Sequence, residues 1–349
     1  MPGPLSVRYT KKALPIMSDT ASSAAPGPVG VVLLQLGGPD SLDSVEPFLE
    51  NLFCDPDIID LPFAFLFRKP LARLISRTRG RKVREVYRRI GGRSPILKHT
   101  QRQAAALEAA LRPRINARVV VAMRYWRPFT EDAIAELTDA GIERVLLLPL
   151  YPQYSKTTTG SSVNEWNRVL RERDLQRLHP DVVDQYCEHP LYIAALVRRI
   201  AIALRRIPEA DRRGTHLVFS AHGTPVSLVR SGDPYQAQIT RTYAAVVRAG
   251  QFGLHHHLCF QSKVGPQKWL EPTLEQTIDG LAEKKVSHVV VVPIAFVSDH
   301  SETLWEINLE MKQHAKQRGI SHFDMSPALH TEPLFIEALA DLVLRKVNA

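Results

Sequence analysis

The sequence predicts an α/β protein built as two similar doubly wound lobes, each a parallel sheet flanked by helices. Short apolar runs rich in Val, Leu and Ile alternate along the chain with longer segments of helical period. The runs are continuously apolar, the pattern of strands covered on both faces. The two halves also echo each other. Thr130-Glu-Asp-Ala-Ile opens a helix that leads to Val145-Leu-Leu-Leu-Pro149, and Leu274-Glu-Gln-Thr-Ile opens one that leads to Val289-Val-Val-Val-Pro293, with the two prolines 144 residues apart.

In chain order, residues 1–28 are rich in Ser, Ala, Pro and Gly without periodicity and predict a flexible arm. The arm lacks the long apolar stretch of a secretory signal, and Met17 is a second candidate start. The strands follow as VGVVLLQL from Val29, ARVVVAMRY from Ala117, ERVLLLPLY from Glu143, THLVFS from Thr215, HLCFQS from His257 and HVVVVPIAF from His288. They divide the chain into a lobe over 29–170, a second over 171–328 and a C-terminal helix over 329–349 expected to return to the first lobe. Ligands of open α/β sheets bind beyond the C-terminal ends of the strands, so the site is expected in the cleft where those ends converge.

Hydrophobic residues at 44% and charged residues at 23% exclude a disordered or fibrous chain. No apolar run reaches the roughly 18 residues of a spanning helix. The 45 Lys and Arg against 36 Asp and Glu leave a net charge of +9, and its location is informative. Between Leu61 and Arg89 stand ten basic residues and one acid, Glu85, interleaved with Phe63, Phe65, Leu66, Phe67, Leu71, Leu74 and Ile75. That arrangement suits an interfacial element on an anionic membrane, and equally a helix packed on its own lobe with a solvated basic face. No nucleic-acid motif accompanies the charge, so nucleic acid is not an expected partner. Cys54, Cys187 and Cys259 are far apart with no C-x-x-C pair, which argues against a disulfide framework or structural zinc and fits a reducing, cytoplasmic setting.

The strand THLVFS ends in Ser220-Ala-His222-Gly-Thr-Pro225, which sets a histidine at the cleft. A histidine that merely caps its strand has the same pattern. After HVVVVPIAF, Asp299, Glu302, Glu306 and Glu310 are spaced three, four and four apart, one stripe of a helix with 3.6 residues per turn. Leu304, Ile307 and Met311 fall opposite, so a solvated acidic face explains the pattern as well as a track for protons or a cation does. Like charges at i,i+4 cost about 0.2–0.5 kcal/mol per pair, and no Lys or Arg lies between Asp299 and Met311 to relieve them. The loops Arg124–Pro128, Tyr151–Ser162 and Gln261–Pro266 combine aromatic faces with hydroxyl and cationic donors, as a large flat anionic ligand requires. Gly37-Gly38 lacks the rest of a nucleotide motif. His255-His256-His257 has the look of a metal tract, but along a strand only alternate side chains share a face, and it is not counted as a site.

LQLGGPD from Leu34, YRRIGGRSP from Tyr87, MRYWRP from Met123, YPQYSKTTTGSS from Tyr151, SAHGTPVSLVRSGDPY from Ser220, CFQSKVGPQKWLEP from Cys259 and PIAFVSDHSETLWEI from Pro293 closely resemble the ferrochelatase family, enzymes that insert ferrous iron into a porphyrin. The resemblance runs from about Val29 to Val347. It implies two Rossmann-like lobes with the porphyrin in the cleft and His222 and Glu302 as the metal and proton-transfer pair. By the same resemblance Asp299, Glu306 and Glu310 extend an acidic path, Arg124 and Tyr125 face the other side of the macrocycle, Arg79, Tyr87 and Ser94 hold its propionates, and 61–89 forms a lip over its mouth. Metallation removes two pyrrole protons, which suits an imidazole base backed by a carboxylate relay. A histidine and a carboxylate also hold Fe(II) without the permanence of a fuller cage.

Two departures narrow the expectation. Lys156 stands where cluster-bearing relatives have a cysteine, and no cysteine follows Cys259, which implies no iron–sulfur cluster and no permanently bound cofactor. Leu36 stands where relatives acting on coproporphyrin carry a tyrosine, which implies protoporphyrin IX and Fe(II) as substrates. The resemblance thus implies formation of protoheme in the cytoplasm, with peripheral contact through 61–89 to an anionic membrane. A coproporphyrin ferrochelatase, a cobalt or nickel chelatase, and a porphyrin carrier that has lost catalysis stay open, and the intact His222 and Glu302 count against the last. The oligomeric state is open too.

Overall fold

The computed structural model describes residues 27–58, 64–263 and 267–348. The expected arm as far as residue 26, the start of the basic segment at 61–63 and residues 264–266 of the third loop lie outside the described residues. Two four-stranded parallel sheets carry the described chain, as the apolar runs predict. β1 (Val29–Gln35), β2 (Ala117–Met123), β3 (Arg144–Pro149) and β4 (Asp181–Val182) lie in the order β2-β1-β3-β4. β5 (Thr215–His222), β6 (His255–Gln261), β7 (His288–Pro293) and β8 (His322–Met325) lie in the order β6-β5-β7-β8. All seven residues of β1 are buried, because the strand has neighbours on both edges and helices on both faces. Gly30 allows the close packing of helix Thr130–Asp139, since a Cβ there would lie 2.7 Å from Leu137 Cδ2.

The internal repeat holds to the residue. Leu34 is the register partner of Pro149, and Ser220 that of Pro293. The next amides bond back alike, Leu150 N to Leu34 O at 2.9 Å and Ile294 N to Ser220 O at 3.0 Å. Two residues beyond these partners, Leu36 therefore occupies the place in the first lobe that His222 occupies in the second. Gly37-Gly38-Pro39 correspondingly matches Gly223-Thr224-Pro225. One strand end offers the cleft an alkyl group and its counterpart a base.

The expected lobe boundary at 170 is corrected. β4 pairs with β3, so the first sheet continues to Val182, and a two-residue strand is too short to register as an apolar run. Helix Pro333–Val347 packs on Ile96–Leu111 and on Pro190–Leu204, with Arg114 Nη2 3.0 Å from Glu337 Oε2. One continuous core runs from Leu33 and Leu148 through Tyr192 and Phe335 to Phe219 and Val292, and so joins the sheets. Polar contacts reinforce the join, among them Tyr192 Oη donating to Ile294 O at 3.1 Å and Gln153 Nε2 to Thr242 Oγ1 at 3.0 Å. Strand ends anchored in a shared core hold the residues beyond them in fixed relation.

Candidate functional site

His222 closes β5 and Glu302 opens the helical stretch after β7, so two neighbouring strands of one sheet aim them at each other. His222 Nδ1 lies 2.8 Å from Glu302 Oε2. Gly223 is required there, since a Cβ on it would approach Gln261 O to 2.7 Å and push the turn off β6. The His222 side chain is 40% exposed and that of Glu302 24%, so the imidazole opens outward while the carboxylate backs it. With Nδ1 engaged, Nε2 has no hydrogen-bond partner among the described residues.

Ser262, just past β6, ties in a second carboxylate. Its amide donates to Glu306 Oε1 at 2.7 Å, and its hydroxyl lies 2.6 Å from Glu306 Oε2 and 3.1 Å from Glu302 Oε2. Ser262 achieves this at φ +66°, a left-handed conformation that strains a residue with a Cβ and aims amide and hydroxyl at the same two acids. Burial alone would disfavour charge on all three partners, and the charges divide it unequally. Against burial, the Glu302 carboxylate raises the proton affinity of His222. The imidazole in turn holds Glu302 well below the usual carboxylate range. Burial and the adjacent Glu302 together push Glu306 up. Glu306 is thus the acid of the pair that retains a proton more readily.

The expected single acidic stripe is corrected. Glu302–Met311 is a π-helix, whose i→i+5 bonds widen each turn beyond 3.6 residues, and it begins only after Asp299. Glu302 and Glu306 share Ser262, but Asp299 turns elsewhere. Its Oδ2 meets His330 Nε2 at 2.8 Å, its Oδ1 accepts from Thr303 Oγ1 at 3.1 Å, and the His330 ring stacks on His99 with centroids 3.8 Å apart. Glu310 is exposed.

Residues 28–347 match the ferrochelatase family. Over 325 residues the chain is 48% identical to the ferrochelatase of Geotalea uraniireducens, covering 93% of this chain and 99% of that one. The chain belongs to the ferrochelatase family. The ferrochelatase of Aquifex aeolicus is 44% identical over 318 residues, 91% of this chain and 99% of that one. Among solved structures, SirB from Bacillus subtilis with Fe3+ superposes with a TM-score of 0.54 at 11% identity, over 91% of this chain and 95% of that one, a likeness of fold alone.

The other residues expected from the ferrochelatase resemblance fall into several settings. Leu36 packs with Tyr87, Tyr125 and Trp126 in one apolar cluster beside the cleft-facing turn. Tyr87 is buried, and its phenol lies 3.4 Å from Ser301 Oγ, next to Glu302; burial pushes it up to about 12. Ser94 Oγ accepts from Ile96 N at 3.4 Å, at the start of helix Ile96–Leu111. Arg79 is exposed, its guanidinium 5.8 Å over the Phe53 ring. Arg124 and Tyr125 have turned their polar ends inward. The Tyr125 hydroxyl donates to the fully buried Asp55 Oδ2 at 2.5 Å, Arg124 Nη2 lies 3.1 Å from the same oxygen, and Ser161 donates to it as well. Tyr125 is thereby buried, while the Arg124 guanidinium, 14% exposed, keeps Nη1 without a hydrogen bond among the described residues.

Sequence patterning misses Asp55 and His330, and it includes Ser262 only as a hydroxyl of the loop Gln261–Pro266, not as the partner of two acids. Ser262 had one usable signal, its place immediately beyond a strand adjacent to the strand of His222.

Proposed function

We propose that this chain inserts Fe(II) into protoporphyrin IX with release of two protons, the metallation that forms protoheme, with His222 and Glu302 at the reacting centre. The observation that carries the assignment is the open imidazole of His222 backed at 2.8 Å by Glu302, at the strand ends of a chain of this family. Nε2 meets the incoming ion or a pyrrole N–H in succession, since one lone pair serves one partner at a time. When it takes a proton, the Glu302 carboxylate stabilises the imidazolium. From there Glu302, the Ser262 hydroxyl and Glu306 form an unbroken line of acceptors and donors along which a proton can leave. Leu36, alkyl where a tyrosine would add a hydroxyl, favours the less polar porphyrin. The chain holds no iron–sulfur cluster in this reading; Lys156 reaches toward Asp57, Nζ to Oδ1 3.9 Å, where a cluster ligand would stand, while Cys187 and Cys259 are buried in different parts of the core. An anaerobic assay of the purified protein with Fe(II) and protoporphyrin IX or coproporphyrin III, followed by the Soret shift, tests the assignment. Faster turnover of coproporphyrin III, or of cobalt or nickel, overturns it, and so does binding without turnover.

A specific observation favours a peripheral membrane contact. No helix among the described residues is long and apolar enough to cross a membrane. On helix Ala64–Arg89, however, Phe67 is 66% and Leu74 61% exposed, seven residues apart and so on one face, with Arg77, Arg81 and Lys82 exposed beside them. Each cation near an anionic surface contributes about 1 kcal/mol. Co-sedimentation with anionic vesicles at low salt, lost at high salt and weakened by Phe67→Ser with Leu74→Ser, is the expected result. No binding at low salt would leave the helix as a lip alone.

A further inference from the structure

Six of the thirteen histidines gather at the end of the second sheet opposite His222. His255, His256 and His257 open β6, His216 is second in β5, and His288 and His322 open β7 and β8. The alternation that argues against the tract as a unit selects two of its members. His216 is the register partner of His255, and Val218 that of His257, so His216, His255 and His257 share one face. His256 turns to the other face, where its Nδ1 meets Tyr243 Oη at 2.6 Å.

On the shared face His216 Nδ1 lies 2.9 Å from His257 Nε2, with the rings 5° from parallel. His255 stacks on His216 with centroids 4.8 Å apart. A proton between the two nitrogens makes a hydrogen bond. Two nitrogens each about 2.0–2.1 Å from one tetrahedral ion are about 3.3 Å apart, so the pair seats a metal in place of the proton once the rings part by about 0.4 Å and each turns its lone pair off the N···N line.

We propose that His216 and His257 hold one divalent transition-metal ion of the zinc, nickel or copper class at the rear of the second lobe, with water completing its coordination. Imidazole nitrogen suits these ions. No three His, Cys, Asp or Glu among the described residues converge on one point, so the seat is a pair and its affinity modest. The cation of Lys284 acts on both rings and opposes binding. His216 and His222 are six residues apart on β5, about 20 Å at 3.3 Å per residue, so an ion held here is separate from one in the cleft.

The test uses the full chain carrying His222→Ala and Glu302→Gln, which removes the cleft pair, titrated with Zn2+ alone in competition with a chromogenic chelator. One bound equivalent is expected, weakened about tenfold or more by His216→Asn or His257→Asn and unchanged by His256→Asn. Lys284→Gln, an exposed substitution that spares the fold, is expected to tighten binding. Absence of zinc binding overturns the proposal, as does binding indifferent to His216→Asn and His257→Asn. If those two variants fail to fold, unchanged affinity in Lys284→Gln overturns it.

Discussion

Ser262 offers a substitution whose two consequences separate. Its hydroxyl serves Glu302 at 3.1 Å and Glu306 at 2.6 Å, while its backbone stands at φ +66°. Ser262→Ala removes the hydroxyl and keeps the strain; Ser262→Gly removes both. A hydrogen bond to a charged group is worth about 1.5–3 kcal/mol, so loss of the line between the two acids is expected to lower kcat by about 10- to 150-fold in both variants. A left-handed residue with a Cβ costs about 1–2 kcal/mol, so the glycine variant is expected to be about 1 kcal/mol more stable than the alanine variant. Anaerobic Soret assays give the rates and urea melts the stabilities. Activity of Ser262→Ala within about twofold of the parent would refute the proton line. Recovery of activity in Ser262→Gly alone would show that backbone shape, and not the hydroxyl, matters.

Glu302→Gln is expected to lower kcat severely and Glu310→Gln only mildly, because the first backs His222 and the second is exposed; equal small effects would restore a merely solvated acidic face. The pH profile carries a sign. Glu302 raises the proton affinity of His222 above its usual value near 6.5, and the acceptor must be neutral, so the rising limb of kcat/KM is expected above pH 6.5 and should move to lower pH in Glu302→Gln. An unmoved limb would separate the limb from His222. Asp55→Ala removes the oxygen shared by Arg124, Tyr125 and Ser161 and leaves Arg124 only its 3.8 Å ionic contact with Glu165, a loss of about 3–5 kcal/mol and roughly 4–7 °C in Tm by calorimetry. A drop of under about 2 °C would contradict the buried network.

The strands, their repeat and the ends that carry His222 and Glu302 were legible because each is a local pattern: apolar runs, turn residues and a motif beside each strand. Asp299 was placed on the stripe because the 3.6-residue period was run back into residues that precede the helical stretch Glu302–Met311, and where a helix begins leaves no mark in the spacing of acidic residues. Arg124 and Tyr125 turned inward because their partner, Asp55, stands about 70 residues upstream, and such pairing follows from tertiary packing. The left-handed Ser262 is of the same kind, a conformation imposed by what surrounds it. The histidine tract shows the reverse case, since the alternation rule was sound but lacked the neighbouring strand that supplies His216.

The central claim is that the His222 imidazole takes protons from the porphyrin, and His222→Ala tests it most directly when turnover and porphyrin binding are measured on the same sample. Leu36 and Trp126, the partly exposed members of the apolar cluster beside the cleft-facing turn, do not depend on His222, so porphyrin is expected to bind within a few-fold of the parent by fluorescence quenching, while Fe(II) insertion falls to background. Near-normal insertion by the variant would contradict the account.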